Sequence, residues 1–285
     1  MSASFRLMGI LNVTPDSFSD GGRFLETEAA IAHGREMVAE GAQIVDVGGE
    51  STRPGAEPVA EEDELARVEP VIAGLAAAMD SLPTHPQISI DTSKVAVARA
   101  ALVAGASLVN DVSAFRADPD MAGLVADSGA DCCLMHMLGE PSTMQRNPFY
   151  EDVVDDVRAF LEERLAFAVR EGVSEQRVLL DPGIGFGKTV AHNLELLRRL
   201  DELGTLGRPI LIGTSRKSFL GKIAADRPAS ARLAGTVATN VLAYERGASV
   251  FRVHDVAPLN EALAVAAATL GERWTARGAA TTPTS

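Results

Sequence analysis

The sequence is poor in cysteine, in basic charge and in long apolar runs, and each shortage excludes a class of protein. Its 285 residues include only two cysteines, Cys132 and Cys133, which are adjacent. Neighbouring residues on a strand point to opposite faces, so a disulfide between them is not expected. Nothing indicates an oxidising compartment, and we expect two buried thiols in a cytoplasmic protein.

Basic residues are outnumbered, since 26 Lys and Arg against 39 Asp and Glu give a formal net charge of −13. Nucleic acids and anionic membranes are bound through basic patches, so neither partner is expected. No uninterrupted apolar run approaches the roughly 20 residues of a membrane span. Residues 1–6 also lack the pattern of a signal peptide. We therefore expect small molecules, not membranes or nucleic acids, as partners.

Strand-like and helix-like segments alternate along the chain about eight times. We predict strands at 7–11, 44–47, 88–90, 108–109, 132–135, 178–180, 210–212 and 250–253. Predicted helices lie at 26–40, 61–79, 94–104, 121–128, 152–170, 192–202, 231–246 and 259–276. Glycines typical of helix C-termini follow several of them, at Gly41, Gly105, Gly129, Gly172 and Gly247.

Eight successive βα units predict an α/β protein with a (β/α)₈ (TIM) barrel as a single domain. A doubly wound open sheet is the structural alternative. We place the barrel at residues 1–276 and a disordered C-terminal tail at 277–285, because the last residues are small and polar.

Polar residues collect where the predicted strands end, which is where active sites of such barrels lie. They are Asn12, Asp46, Asp91, Asn110, Asp111, His136, Asp181, Ser215, Arg216, Lys217, Arg252 and His254. Taken singly, a strand-end Asp often caps a helix or forms a turn, and a lone Lys is often solvated. Taken together, they predict one polar site at the mouth of the barrel.

The loops after the first two strands, 12–22 and 48–55, are polar and rich in glycine, which favours lids over a substrate. Arg53 offers a planar fork for phosphate oxygens. The segment 183–189 has the look of a phosphate-binding P-loop, but Pro182 occupies the position where that motif needs its first glycine. An ATPase is therefore excluded, and no group has zinc-ligand spacing.

Eight segments resemble, in order, the signature stretches of the dihydropteroate synthases. They are 8–22, 49–55, 90–94, 110–113, 134–137, 181–188, 215–221 and 252–255. The resemblance implies a Mg²⁺-dependent transferase of folate biosynthesis. Such an enzyme joins (7,8-dihydropterin-6-yl)methyl diphosphate to p-aminobenzoate and releases diphosphate. It also implies a homodimer and inhibition by sulfonamides.

The resemblance assigns roles to residues as follows. Pterin and diphosphate would be bound by Thr52, Asp91, Asn110, Met135, Asp181, Phe186, Lys217, Arg252, Val253 and His254. The p-aminobenzoate pocket would comprise Thr52, Arg53, Pro54, Phe186, Ser215 and Lys217. Asn12 would contact Mg²⁺. The catalytic set would be Asp16, Arg53, Asp91, Asp181, Lys217, Arg252 and His254.

Two other functions stay open on the residues alone. A corrinoid-dependent methyltransferase has a similar barrel and pterin carboxylates, but it would not need the loop at Thr52 and Arg53 or a diphosphate site at 252–254. A non-catalytic paralogue would bind pterin without turnover. The intact Asn12, Asp16 and Lys217 argue against that second alternative.

Overall fold

Eight parallel strands close into a barrel in the order β1 to β8, which confirms the predicted (β/α)₈ architecture. The computed structural model describes residues 5–14, 22–51, 58–140 and 143–271. The strands are β1 (Arg6–Asn12), β2 (Ile44–Gly48), β3 (Gln87–Asp91), β4 (Leu108–Asp111), β5 (Asp131–Met135), β6 (Val178–Asp181), β7 (Ile210–Ile212) and β8 (Ala248–Val253). The predicted boundary at residue 276 and the tail lie outside the described residues.

Helices connect successive strands and enclose the barrel. They are α1 (Gly22–Ala39), α2 (Glu61–Met79), α3 (Val95–Ala104), α4 (Asp120–Ser128), α5 (Val153–Arg170), α6 (Val190–Arg198), α7 (Ser218–Ile223), α8 (Leu233–Glu245) and α9 (Val256–Thr269). The five glycines predicted at helix C-termini all have positive φ. Within the described ranges, no helix is both long and apolar enough to cross a bilayer.

Two helix predictions need correction, and one helix was missed. α6 ends at Arg198, where the backbone of Arg199 leaves the helical conformation at φ −108° and ψ 29°, and a 3₁₀ segment, Leu200–Leu206, follows. The last helix is α9, which begins at Val256 and ends at Thr269 instead of spanning 259–276, with Gly271 at φ 85° just beyond it. The six-residue α7 was not predicted, since one and a half turns carry no recognisable period.

The strands are buried on both faces, as parallel strands covered by helices must be. Outward-facing side chains such as Val45 and Val47 join the large core between the sheet and the helices. Seven inward-facing side chains form a separate cluster that we call the apolar plug: Met8, Ile44, Leu108, Cys133, Leu179, Leu211 and Val250. Cys132 belongs to the outer core and Cys133 to the plug, and both are free thiols, as predicted.

Period-two alternation positions the site above this plug. Two residues beyond Ile44, Leu108, Leu179 and Val250, the inward positions on four strands are polar. Together with the residue that ends β3, they form what we call the polar layer: Asp46, Asp91, Asn110, Asp181 and Arg252. Gly48 pairs with Asp91, and Asp91 with Asn110, so these strand ends lie in register. Two residues of strand span about 7 Å, so the polar layer begins one side-chain layer above the plug.

Candidate active site

The floor of the site is a buried ion network centred on Arg252. Its guanidinium donates from Nε to Asp46 Oδ2 at 2.6 Å and from Nη2 to Asp91 Oδ2 at 2.7 Å. Asp46 also accepts from Ser89 Oγ at 2.5 Å and from Asn110 Nδ2 at 3.1 Å. Because one carboxylate touches three other polar groups, Asp46 orients both Asn110 and Arg252.

Asp91 keeps one acceptor open toward a ligand. Its Oδ1 is buried and has no hydrogen-bond partner among the described residues. Burial raises the pKa of Asp91 to about 7; Arg252 opposes this rise and the neighbouring Asp46 adds to it. An unsatisfied buried acceptor costs about 1–3 kcal/mol, so an N–H donor from a bound molecule would remove that cost.

Asp181 ends β6 beside a tightly turned loop. Its Oδ1 accepts from the Gly183 amide at 2.7 Å, and burial raises its pKa, with Lys217 opposing. Gly183 has φ 66°, and a Cβ there would lie 1.8 Å from the His136 carbonyl oxygen. Only glycine therefore allows this loop to pack on the end of β5, which keeps Asp181 at the barrel mouth.

Lys217 lies between the loop after β6 and the aromatic ring that this loop carries. Its ammonium donates to the Ile184 carbonyl oxygen and lies 4.3 Å from the centroid of the Phe186 ring. Burial lowers the pKa of Lys217 to about 8, and Asp181 opposes that shift. The side chain is thus held by two features of one loop, the Ile184 carbonyl and the Phe186 ring.

One wall of the site is apolar. Met135, Met137 and Met144 form a buried cluster, against which Val112 and Phe186 pack. Thioether side chains adapt their shape to a flat ring and make favourable contacts with aromatic groups. A planar heterocycle would therefore find an apolar face here and carboxylate acceptors at its edge.

Ser215 and His254 meet at the mouth of the barrel. Ser215 Oγ lies 2.9 Å from His254 Nδ1, and the His254 amide donates to the same oxygen at 3.2 Å. Val253 lies between Arg252 and His254 but faces the outer core, so only its backbone is available to a ligand. The Arg252 guanidinium is engaged by the two floor carboxylates.

The structure brings together most of the predicted site residues. Ten of them lie in the described part of the chain and converge at this end of the barrel: Asn12, Asp91, Asn110, Met135, Asp181, Phe186, Ser215, Lys217, Arg252 and His254. Asp16, Thr52, Arg53 and Pro54 lie outside the described residues.

The described residues include no cluster of three His, Cys, Asp or Glu side chains that could hold a metal by itself. Asn12 ends β1 and pairs with Gly48 in the sheet. Mg²⁺ usually keeps several waters and takes its other ligands from one or two carboxylates and from substrate phosphates. The Asn12 side-chain oxygen has the donor chemistry for one ligand of a Mg²⁺ that is carried by substrate phosphates.

Sequence reasoning missed two features of this site. Asp46 was placed at a strand end without a role, although its inward position two residues after Ile44 could have revealed one. Lys188 was considered as part of a false P-loop and as the end of the signature segment 181–188, and no role was assigned to it. It is buried, lies 2.8 Å from His136 Nδ1 and donates to the Phe186 carbonyl oxygen at 3.0 Å, so it anchors the loop that carries Phe186.

Known proteins are similar to this chain in sequence and in fold. A family model described as pterin binding enzyme matches residues 8–254. The dihydropteroate synthase of Haemophilus influenzae is 43% identical over 264 residues, which cover 93% of this chain and 94% of that protein. The solved structure of Xanthomonas albilineans dihydropteroate synthase with 4-aminobenzoic acid is 48% identical, with a TM-score of 0.86 and 93% of each chain covered.

A second solved structure, Yersinia pestis dihydropteroate synthase in complex with a sulfonamide drug, is 43% identical with a TM-score of 0.87 and covers 95% of this chain and 96% of its own. Likeness at this level extends over the whole barrel and includes every segment that contributes to the site. The chain therefore belongs to the pterin-binding enzymes and, among them, to the dihydropteroate synthase family.

Proposed function

We propose that the chain condenses (7,8-dihydropterin-6-yl)methyl diphosphate with p-aminobenzoate, giving 7,8-dihydropteroate and diphosphate. The observation that carries this proposal is the open, buried Oδ1 of Asp91, which lies in the same layer as Asp181 and Asn110. The edge of a pterin presents adjacent N–H donors to such acceptors. Hydrogen bonds to a charged group contribute roughly 1.5–3 kcal/mol each.

In the proposed reaction, the bond between the pterin methylene carbon and the diphosphate oxygen breaks, and the electron pair leaves with diphosphate. The positive charge spreads over the pterin ring. The p-aminobenzoate nitrogen then forms a bond to the methylene carbon and loses a proton. Because the ring is held by Asp91, Asn110 and Asp181, the methylene carbon is presented to both partners. Alignment of this kind can lower a barrier by roughly 7–11 kcal/mol.

Cationic and polar groups at the mouth suit the two anionic partners. His254 and Ser215 are proposed to contact the departing diphosphate, and Arg252 to contribute positive charge from the floor, which favours departure of an anion. Phe186, Lys217 and Ser215 lie together where p-aminobenzoate would enter. The X. albilineans relative binds 4-aminobenzoic acid and the Y. pestis relative binds a sulfonamide, so we propose the same pocket and sulfonamide inhibition here.

Mg²⁺ is the proposed metal, with the Asn12 side-chain oxygen as its protein ligand. When bound, it would neutralise charge on the diphosphate. Asp16, Thr52, Arg53 and Pro54 remain proposed contributors from the loops after β1 and β2. Cys132 and Cys133 are free thiols, which suits the reducing cytoplasm that we propose as the location.

A homodimer is the proposed assembly, formed through the outer face of α8 and α9. This face exposes 47% of Leu242, 62% of Val265 and 53% of Leu270. A groove between the two helices is lined largely by apolar side chains, among them Val241 and Ala262. A second copy would cover this face by a two-fold operation. Sedimentation velocity tests it: Val265→Asp should give monomer where the parent protein gives dimer, and a monomeric parent would contradict the proposal.

The reaction itself is tested with both substrates and Mg²⁺ by measuring diphosphate release and dihydropteroate formation. We expect turnover, a loss of about ten- to a hundredfold in Asp181→Asn, and little change in Asp131→Asn. Asp131 is a suitable control because it lies at the opposite end of β5, where it pairs with Arg177.

Two outcomes would replace the proposal. Pterin binding without diphosphate release would indicate a non-catalytic paralogue. Methyl transfer from a reduced methylpterin to a corrinoid, without diphosphate release, would indicate the methyltransferase alternative.

A further inference from the structure

Arg216 has an uncommon backbone conformation at a position between two site residues. Its φ is 56°, in the left-handed region that side chains with a Cβ rarely adopt. Ser215 precedes it and Lys217 follows it. Strained conformations of this kind persist only where the surroundings hold them in place, and they concentrate at functional sites.

The Arg216 side chain makes a bidentate ion pair with the neighbouring βα loop. Nε donates to Asp255 Oδ2 at 2.9 Å, and Nη2 donates to Asp255 Oδ1 at 2.5 Å. The backbone of Arg216 is also held from α8, since its amide donates to Thr236 Oγ1 at 3.0 Å and its carbonyl accepts from Arg232 Nη1 at 2.9 Å. The left-handed turn is thus fixed at its side chain and at both of its peptide groups.

The Asp255 carboxylate pairs with Arg216 and does not cap its own helix. It is the N-cap residue of α9, a position where an Asp side chain usually accepts from the first turn, yet it makes no capping hydrogen bond. Its carboxylate accepts the two hydrogen bonds from Arg216 instead. The pair therefore joins the loop after β7 to the loop after β8, at the expense of a helix cap.

These two loops carry three of the site residues, all adjacent in sequence to the pair. Ser215 and Lys217 flank Arg216, and His254 precedes Asp255. The Ser215 Oγ to His254 Nδ1 contact of 2.9 Å lies directly beside the ion pair. We propose that Arg216 and Asp255 are positioning residues that hold Ser215, Lys217 and His254 in register for p-aminobenzoate and diphosphate, which rests on the proposed function.

The test compares Arg216→Ala, Asp255→Ala, the double variant and Arg216→Gly. Each single Ala variant should raise KM for p-aminobenzoate about tenfold, because small misplacements are costly at a reacting centre. The affinity for the pterin diphosphate should change less, since Asp91, Asn110 and Asp181 are untouched. The double variant should have the same KM for p-aminobenzoate as each single variant, because all three variants remove the same interaction. Effects on KM that add would overturn the proposal.

Arg216→Gly separates the ion pair from the backbone. Glycine adopts positive φ without penalty, so this variant keeps the turn and loses only the pair. We expect its KM to resemble that of Arg216→Ala. Wild-type kinetics in Arg216→Gly would show that the turn alone suffices, and would overturn the proposal.

Arg199→Ala is the matched control. Arg199 makes an equivalent bidentate pair with Glu202, in a segment that carries none of the candidate site residues. It should lower the melting temperature without changing either KM.

A readout independent of turnover keeps this inference distinct from the proposed function. The imidazole resonances of His254 should shift in Arg216→Ala and Asp255→Ala and stay unchanged in Arg199→Ala. An unshifted His254 would overturn the positioning role even if the enzyme is active. A shifted His254 in a protein without turnover would preserve the positioning role and remove only the proposed reaction.

Discussion

Ile44 and Asp46 lie two residues apart on β2, both fully buried and both facing the barrel interior, yet their surroundings are opposite. Ile44 packs among the seven apolar side chains of the plug. Asp46 accepts hydrogen bonds from Ser89, Asn110 and Arg252. The same change occurs between Leu179 and Asp181 on β6.

Burial affects the stability of the fold differently in the plug and in the polar layer. Full burial of an apolar side chain stabilises the fold by roughly 1.5–3 kcal/mol and requires no polar partner. A buried charge loses its hydration and is stable only with the right partner in place. The plug therefore fills the barrel, and the polar layer depends on the pairing of Asp46 and Asp91 with Arg252.

The largest effect should follow from removing the central cation. Arg252→Met leaves Asp46 and Asp91 buried without their partner, which should lower the free energy of unfolding by about 3–5 kcal/mol. Urea denaturation measures this loss. It should be smaller below pH 7 than above it, because Asp91, with its pKa of about 7, can then be neutral.

Arg208→Met is the control for Arg252, since Arg208 is only partly buried and its described hydrogen bonds go to backbone carbonyls. Its effect should stay within about 0.5 kcal/mol. An equally small loss in Arg252→Met would show that the polar layer does not depend on its cation, and the contrast between the layers would fail.

A change in the plug should reduce stability and leave function intact. Leu179→Ala removes buried methyl groups one layer below Asp181 and should cost about 2–5 kcal/mol. Thermal or urea unfolding gives the loss, and steady-state kinetics on the folded variant should give unchanged KM values. Altered KM values would mean that the plug also shapes the site above it.

The pH dependence of pterin binding should report Asp91 directly. Pterin N–H donors favour the ionised carboxylate, so affinity should fall as pH decreases through about 7, the pKa to which burial raises this group. The fall should reach at most about tenfold per pH unit. Titrations of the wild type and Asp91→Asn around pH 7 measure it, and the variant should show no such slope.

The same shift has the opposite consequence for stability. A carboxyl whose pKa rises from 3.8 to about 7 on folding binds its proton more tightly in the folded state. Its contribution to the free energy of unfolding therefore declines as pH rises between those two values and is constant outside them. Asp91→Asn should remove this component from the pH profile of urea unfolding.

The smallest effect should come from the aromatic face beside Lys217. Phe186→Leu keeps the apolar wall and removes the ring 4.3 Å from the Lys217 ammonium. Cation–π contacts contribute about 0.5–1 kcal/mol at partly exposed sites, so KM for p-aminobenzoate should rise about two- to fivefold. A change above tenfold would indicate that the Phe186 ring contributes more to the p-aminobenzoate pocket than its contact with Lys217.

The contrast between the layers also explains what sequence reasoning could predict. Strand-end polar residues such as Asp91 and Asp181 could be predicted as site residues, because the C-terminal ends of the strands of such a barrel meet at one mouth. The partner of each charge was not predictable, since the contact between Arg252 and Asp46 joins residues 206 positions apart. By resemblance Arg252 was expected at the diphosphate, which stays a prediction, and its hydrogen bonds to the floor carboxylates were not predicted.

Two short features could not be predicted from the sequence. No glycine marks the left-handed turn at Arg216, and its ion-pair partner Asp255 lies 39 positions away along the chain. The buried pair of Lys188 and His136 has no periodic signature. The roles of Asp16, Thr52, Arg53 and Pro54 stay predictions, because these residues lie outside the described part of the chain.

The adjacent thiols of β5 give the protein a pair of internal reporters. Cys132 faces the shell between sheet and helices, and Cys133 faces the interior of the barrel. Burial raises the pKa of both thiols, so neither reacts readily while its layer stays closed. The rate of reaction with a thiol reagent should therefore report two separate opening events. Modification of Cys132 should follow detachment of the helices from the sheet, and modification of Cys133 should follow opening of the barrel itself.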